Sequence, residues 1–178
     1  MRVLYRLRQF WRTLTANTAS PELEHAQTLL NPEQRRLFTQ LQPGEQDHAV
    51  TMLYRLLERG ENQPDLLVAA LLHDVGKLHY HLNPFERALV VLVRLVLPEQ
   101  ARLWGNLPAT GWDGVSRWQK AFVLAEQHAG WGAELARQAG ASTLTETLIR
   151  EHHHPHFNNY ISAENSLLHK LWVVDNES

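Results

Sequence analysis

The residues of this chain best suited to chemistry are histidines and aspartates at the ends of apolar helical segments. His73 and Asp74 directly follow Leu66–Leu72, a run that is apolar on every side and therefore predicts a buried helix. A buried carboxylate needs a paired group or a metal ion, so this pair favours a cation site. Imidazole nitrogen and carboxylate oxygen are ligands that divalent metals accept together. The alternative is a surface position, with Asp74 in an ion pair and His73 near Lys77 offsetting the helix dipole.

Asp175 and His48 are two further candidates, each with a structural alternative. Asp175 follows Leu168 and Leu171 at helical spacing, so it continues an apolar stripe, where an acid is unusual. Alternatively, it lies past the end of the last helix, in the tail 176–178. His48 lies near the start of an amphipathic helix, where a single histidine is most often a structural residue. It becomes a candidate ligand only in combination with the other groups.

The chain contains 11 histidines and no cysteine among its 178 residues. Disulfides and thiolate metal sites are therefore excluded, and any metal must be held by nitrogen and oxygen ligands. His128 precedes a helix that begins with small residues, and four histidines follow Glu151: His152, His153, His154 and His156. This cluster is either a second metal site or a surface patch. The remaining histidines are interpreted as structural or surface residues: His25, His79, His81 and His169.

Helical periodicity extends over almost the whole chain, and no segment alternates as a strand would. We therefore predict an all-α fold, a single compact helical bundle without internal repeats. Its organisation is predicted as N-terminal helices over residues 1–44, which pack on or extend the core, and one domain over residues 45–178. The predicted helices cover residues 32–41, 46–59, 64–72, 85–97, 116–127, 131–139, 143–154 and 163–174, and residues 103–114 are predicted to be a loop.

Composition excludes several classes of protein. An apolar fraction of 44% with 20% charged residues is typical of a soluble globular domain. A net charge of -2 leaves no basic surplus, so no nucleic-acid partner is expected. The longest apolar run, Ala88–Leu97, has about half the length of a membrane-spanning helix, and Arg94 interrupts it. Arginines at positions 2, 6, 8 and 12 interrupt any signal-peptide core, so a cytoplasmic protein is expected.

Two amphipathic segments have no assigned packing partner in the predicted bundle. Residues 1–14 place apolar side chains and arginines on opposite sides of a predicted helix. This helix either packs on the domain or contacts an anionic membrane surface or a partner protein. Residues 85–97 form a second, more apolar helix. If the protein makes a peripheral membrane or protein contact, it is expected through residues 1–14 or 85–97.

The order of His48, then His73 with Asp74, then a late Asp175 resembles the HD superfamily of metal-dependent phosphohydrolases. Residues 71–77, Leu-Leu-His-Asp-Val-Gly-Lys, are similar to the core signature of that family, and residues 167–175 are similar to its last ligand helix. The resemblance covers about residues 45–175, and the segment 83–118 has no counterpart that we can identify. It implies an all-α HD-domain bundle in which a divalent metal is bound by His48, His73, Asp74 and Asp175.

The resemblance extends to the two-metal members of the superfamily. Residues 128–135 resemble their extra-histidine helix, and residues 149–153 resemble their paired-histidine step. By analogy, Asp74 bridges two ions, drawn from Mn, Fe, Co, Ni or Mg. One ion is then bound by His48, His73 and Asp175, and the other by His128, His152 and His153. His154 or His156 is an alternative to one member of the histidine pair.

The function implied is hydrolysis of a phosphate ester or anhydride in a small nucleotide-type substrate by a metal-activated water. Asp74 and Lys77 are the catalytic candidates. Lys77 is included because it lies one turn beyond His73, and a lysine there neutralises a phosphate oxygen. The family's diadenosine-tetraphosphate hydrolases share this order of ligands and a similar length. No Gly-Tyr-Pro motif follows His153, which argues against cyclic di-GMP as the substrate. The alternative function is a catalytically weak HD module that binds a nucleotide or a protein partner in regulation.

Overall fold

The computed structural model describes residues 20–106, 111–153 and 163–178, and the statements below concern those residues. The described chain is helical throughout and contains no strand, which confirms the all-α prediction. None of its helices is long and apolar enough to cross a membrane. The predicted helix of residues 1–14 and the histidines His154 and His156 lie outside the described residues.

Proline begins most of the helices. In order they are α1 (Pro21–Thr28), α2 (Pro32–Gln40), α3 (Pro43–Glu58), α4 (Pro64–Leu72), α5 (Pro84–Val96), α6 (Pro98–Gly105), α7 (Lys120–Gln138), α8 (Thr143–Glu151) and α9 (Ala163–Glu177). Two short 3₁₀ helices, Val75–His79 and Trp112–Gly114, follow α4 and α6. A proline at the first helical position removes no hydrogen bond, because the first amides of a helix have no intrahelical partner. The side chains that cap α1, α2 and α5 belong to Ser20, Asn31 and Asn83.

Helix α4 is the centre of the core. Leu66, Leu71 and Leu72 are fully buried, as the apolar run predicted. The helix packs against α3 and α8 and also contacts α2 and α9. The described part of residues 1–44 joins this core, because α1 packs on α3 and α2 packs on α4. The end of α4 therefore lies in the middle of the bundle.

Helix α7 is continuous, although two helices separated near Gly130 were predicted. Gly130 and Gly132 do not end it, since neither has a positive φ. Instead, the missing side chains allow the 3₁₀ helix Val75–His79 to approach α7 backbone to backbone. A Cβ on Gly76 would lie 1.9 Å from the carbonyl oxygen of His128, and a Cβ on Gly132 would lie 3.1 Å from the Gly76 amide nitrogen. This contact fixes the distance between the end of α4 and His128.

Other helix boundaries also differ from the prediction. α3 begins at Pro43 rather than near residue 46, because the Glu45 carboxylate accepts a hydrogen bond from the Gln42 amide at 3.1 Å and caps the helix. α6 extends into the start of the segment 103–114 that was predicted to be a loop. α9 continues to Glu177, so Asp175 lies inside the helix and not in a tail.

Helix α5 leaves most of its apolar side chains in solvent. Phe85, Leu92 and Leu95 are 86%, 58% and 61% exposed, whereas Val90 is buried. The opposite side of the helix packs on α6 and α7 through Val90 and the partly buried Val93. A contiguous apolar stripe of this kind is typical of an interaction surface.

Candidate metal centre

The predicted ligands converge at one place in the bundle, although they are distant in sequence. His48 lies in the second turn of α3, His73 and Asp74 follow α4, His128 lies in α7, His152 and His153 follow α8, and Asp175 lies in the last turn of α9. The structure therefore brings together every predicted ligand that lies within the described residues.

The first cluster consists of His48, His73 and Asp74, whose ligand atoms all lie within 4.8 Å of one another. Asp175 adjoins it, with Oδ1 at 3.1 Å from His48 Nε2 and 3.9 Å from His73 Nε2. Two imidazoles and two carboxylates at these distances form a ligand set that a divalent cation accepts. The alternative of a surface position is wrong for Asp74, which is 3% exposed.

The second cluster consists of His128, His152 and His153, whose ligand atoms also lie within 4.8 Å of one another. His128 and His152 are buried, whereas His153 lies at the exposed edge. Asp74 lies between the two clusters, with Oδ1 at 3.5 Å from His128 Nε2 and Oδ2 at 3.4 Å from His73 Nε2. One carboxylate thus presents one oxygen to each cluster, which is the arrangement a bridging ligand needs.

Backbone carbonyls orient three of the imidazoles. The Nδ1 atoms of His73, His128 and His152 lie 2.9, 3.0 and 2.6 Å from the carbonyl oxygens of Ala70, Leu124 and Ile149. A carbonyl oxygen only accepts, so each Nδ1 must carry the proton and donate it. Each Nε2 then keeps its lone pair, and metal-binding histidines are commonly held in this way.

Two buried nitrogens have no hydrogen-bond partner among the described residues: His48 Nδ1 and His152 Nε2. His152 is only 1% exposed, and its Nδ1 already donates to Ile149. A buried polar atom without a partner costs about 1–3 kcal/mol. A metal ion bound to His152 Nε2 would remove this cost, so the unpartnered atom fits a cation at the second cluster.

Burial keeps two of these imidazoles neutral. It lowers the pKa of His73, and it lowers the pKa of His152 to about 3. Burial raises the pKa of Asp175, but the hydrogen bond from His48 and the neighbouring imidazoles together outweigh burial, so the pKa of that carboxyl is lowered. Neutral imidazoles and an ionised carboxylate are the protonation states in which these groups bind metals.

Lys77 lies on the Asp74 carboxylate at the edge of the site. Its Nζ donates to Asp74 Oδ2 at 2.5 Å, and its side chain is 28% exposed. Burial lowers the pKa of Lys77, but the charges of Asp74 and Glu45 together with the hydrogen bond to Asp74 outweigh burial, so the net shift is upward. Burial likewise raises the pKa of Asp74, yet Lys77 and His73 lower it well below its ordinary value. Both groups are therefore ionised, and a cation is held beside the candidate ligands.

An ion pair that was not predicted from the sequence supports the site. Glu45 is 4% exposed, and its Oε1 accepts from Arg87 Nη2 at 2.8 Å. The same nitrogen donates to Gln42 Oε1 at 2.7 Å. This contact joins α5 to the start of α3 and so steadies the turn that carries His48. The capping glutamate three residues before His48 was a usable signal for Glu45, whereas nothing local to Arg87 indicates its contact.

Comparison with protein-family models, with curated proteins and with solved structures finds no match to this chain. The similarity to the HD superfamily therefore stays a prediction, based on the order and spacing of the motif residues. The paired clusters around Asp74 are a property of the fold and do not depend on that similarity.

Proposed function

We propose that this chain is a metal-dependent phosphohydrolase of the HD superfamily. It cleaves a phosphate ester or anhydride of a nucleotide-type substrate and uses divalent ions drawn from Mn, Fe, Co, Ni or Mg. The observation that carries the proposal is the Asp74 carboxylate between two clusters, with one oxygen near His73 and the other near His128. Paired metal sites of this kind serve phosphoryl hydrolysis in many unrelated enzymes.

The donor atoms fit two ions. His48, His73, Asp74 and Asp175 would hold the first, and Asp74, His128, His152 and His153 would hold the second. The unpartnered Nε2 of His152 supports the second position, and the backbone bonds that direct His73 and His128 support both. When bound, such ions lower the pKa of a water molecule and neutralise charge on phosphoryl oxygens.

Lys77 contacts the substrate in this proposal. The transition state of phosphoryl transfer spreads negative charge over the phosphoryl oxygens, and an ammonium group stabilises that charge. Lys77 is suited to the task because it is partly exposed at the edge of the site. Asp74 keeps it protonated and holds it in place through the bond to Oδ2.

Phosphate release and metal content test the proposal together. Purified protein is loaded anaerobically with each candidate metal, its metal is counted, and phosphate release is followed over a panel of nucleotides. We expect about two equivalents, and about one after His128→Ala with His153→Ala, together with loss of hydrolysis. His25→Ala is the matched control, because His25 lies on the surface and contacts Tyr54, away from the clusters.

Absence of phosphate release with every metal and nucleotide would contradict the proposal. Nucleotide binding without turnover would instead favour the alternative, a catalytically weak module that binds a nucleotide or a protein partner in regulation. One equivalent of metal, unchanged by the two substitutions, would reduce the site to His48, His73, Asp74 and Asp175.

The exposed stripe of α5 favours a second candidate function, attachment to an anionic phospholipid surface. Phe85, Leu92 and Leu95 lie on this stripe and are mostly exposed. The N-terminal segment has matching chemistry: arginines stand at positions 2, 6, 8 and 12, and no aspartate or glutamate precedes Glu22. Apolar side chains insert among lipid tails, while arginines bind anionic headgroups. Two such segments give a higher membrane affinity than one.

Sedimentation with lipid vesicles tests this attachment. The protein should pellet with vesicles that contain phosphatidylglycerol and not with neutral phosphatidylcholine vesicles. Leu92→Gln with Leu95→Gln should abolish pelleting, whereas Leu29→Gln, at a less exposed position directly after α1, should not. Pelleting that survives the paired substitution would exclude α5. A change in molecular mass caused by the same substitutions would show that a second copy covers the stripe.

A further inference from the structure

We propose that four rings beside the metal centre form a binding surface for a nucleobase: His79, Tyr80, Trp112 and Trp131. The inference rests on the proposed function, because it names the part of the substrate that lies away from the phosphate. Bases of every kind stack on aromatic side chains, since each base has a π face. The segment 83–118, which the resemblance to the HD superfamily leaves without a counterpart, supplies Trp112.

The four rings form a continuous series. The ring centroids of His79 and Trp131 are 4.6 Å apart, those of Trp131 and Trp112 are 5.4 Å apart, and those of Trp112 and Tyr80 are 5.9 Å apart. None of the four belongs to either apolar core of the described chain. His79 is exposed and the other three are half-buried. Large rings gathered outside the core are suited to contact with a ligand, because a packing role would bury them.

The series borders the candidate metal centre. Trp131 lies one turn after His128 in α7, and helical side chains lean toward the N-terminus, so its ring covers the turn that carries His128. His79 lies two residues after Lys77 in the 3₁₀ helix that is pressed against α7. A phosphate at Lys77 and a base on the rings are therefore positions that one nucleotide can occupy together.

A cation lies over the same surface. Lys120 Nζ is 5.1 Å from the centroid of the Trp112 ring and 5.8 Å from that of Tyr80. These distances are within the range of cation–π attraction. The ammonium group adds positive charge beside the rings, which suits an aromatic group linked to phosphate better than a neutral apolar ligand.

The probe is adenosine, which carries the base and no phosphate. Saturation-transfer NMR on metal-loaded protein should show contact with the adenine protons. The contact should be lost in Trp112→Ala and kept in Trp118→Ala, a matched control whose ring contacts Trp104 and Phe122 instead. Trp112→Phe should restore it, which separates stacking from a general loss of folding.

Steady-state kinetics provide the second readout. Trp112→Ala should raise KM for ATP about tenfold with kcat nearly unchanged, which corresponds to one lost stacking contact. Hydrolysis of inorganic tripolyphosphate, which has no base, should not change. Lys120→Ala should also raise KM for ATP while the rings stay intact.

Two failures can be told apart. If adenosine gives no transfer to the unmutated protein, or binds Trp112→Ala and Trp118→Ala equally, the base site is overturned even when hydrolysis is present. If adenosine binds through Trp112 but no nucleotide is hydrolysed, the base site stands and the proposed hydrolase function fails.

Discussion

At the scale of single residues, the direction of each nitrogen decides what the site can bind. His73, His128 and His152 each give their Nδ1 proton to a carbonyl three or four residues earlier in the chain. Because the helix itself supplies this acceptor, the inward Nε2 needs no other side chain to fix its tautomer. Each imidazole is thus presented as a neutral donor by the element that carries it.

Substitution of Lys77 tests whether this residue acts on the substrate or supports metal binding. Replacing it with methionine should reduce kcat/KM. The loss should correspond to about 1.5–3 kcal/mol of transition-state stabilisation, which is typical of one charge-assisted contact. Metal content should be kept, and metal affinity should rise, because Lys77 Nζ no longer competes for Asp74 Oδ2. Enzyme kinetics and metal titration measure the two effects. Lys170→Met is the control, since Lys170 pairs with Glu61. Metal content that falls in step with activity would show that Lys77 supports the metal.

The residues that could be identified from the sequence are those whose neighbours in the sequence make them unusual. His73 and Asp74 stand out because a polar pair ends a fully apolar run. Arg87 could not be found in this way, because its contact with Glu45 spans 42 positions and exists only in the folded chain. The aromatic surface was missed for the same reason, and His79 was interpreted as a structural or surface residue.

At the scale of elements, the 3₁₀ helix Val75–His79 packs backbone to backbone against α7. This packing requires that Gly76 carry no side chain, since a Cβ there would overlap the backbone oxygen of His128. Sequence periodicity located most of the helices, but it gave no bounds for α1, predicted no helix over α6 and placed a break in α7 that does not exist. The glycines near residue 130 suggested that break, but their role is a long-range approach that no local pattern encodes.

Gly76→Ala should therefore force the two elements apart. We expect a loss of about 1–3 kcal/mol in the free energy of unfolding, typical of an overpacked core. Weaker metal binding should accompany it, because His128 moves away from Asp74. Gly130→Ala is the matched control, since its nearest neighbour would be Arg150 Nη1 at 3.9 Å. That change should be neutral or slightly stabilising. Chemical denaturation measures both, and equal effects would argue against the contact.

Asp65 links the start of α4 to the start of α8. It accepts hydrogen bonds from Ser142 Oγ and from Thr145 Oγ1, and the bond from Ser142 is the main cause of its lowered pKa. Because its pKa is lowered, ionised Asp65 stabilises the fold fully at pH values above its ordinary pKa near 3.8. This stabilisation is lost as the pH falls through the lowered pKa of the folded protein.

Asp65→Ala should lower the free energy of unfolding by about 1 kcal/mol at neutral pH. The difference from the unmutated protein should shrink in strong acid, because protonated Asp65 no longer makes charge-assisted bonds. Denaturation curves over a range of pH measure this. Asp113→Ala, which removes an exposed acid, should have little effect at any pH. A difference that does not depend on pH would show that the charge of Asp65 is unimportant.

At the scale of the whole molecule, the candidate site joins helices that lie far apart along the described chain. His48 comes from α3, Asp175 comes from α9, and His128 comes from α7. Binding that requires the folded arrangement adds its free energy to folding. Metal removal should therefore lower the stability of the whole bundle, and not only order around the ion.

Thermal unfolding with and without a chelator measures this coupling. At a free metal concentration 100 times Kd, binding adds about 2.7 kcal/mol. For a chain of this size we expect chelation to lower Tm by about 5–10 °C. Asp74→Asn should lose the dependence on chelator, and Glu33→Gln, which removes an exposed acid on α2, should keep it. An unchanged Tm on chelation would indicate that the clusters hold no ion.

The hydrogen bond between His48 Nε2 and Asp175 Oδ1 joins residues 127 positions apart. Helices form locally and early during refolding, whereas a contact of such sequence separation must wait until a long loop has closed. Capture of an ion by the first cluster should therefore lag behind the return of helical circular dichroism. A fluorescent indicator for the free metal ion in a stopped-flow experiment would then time this late step of folding.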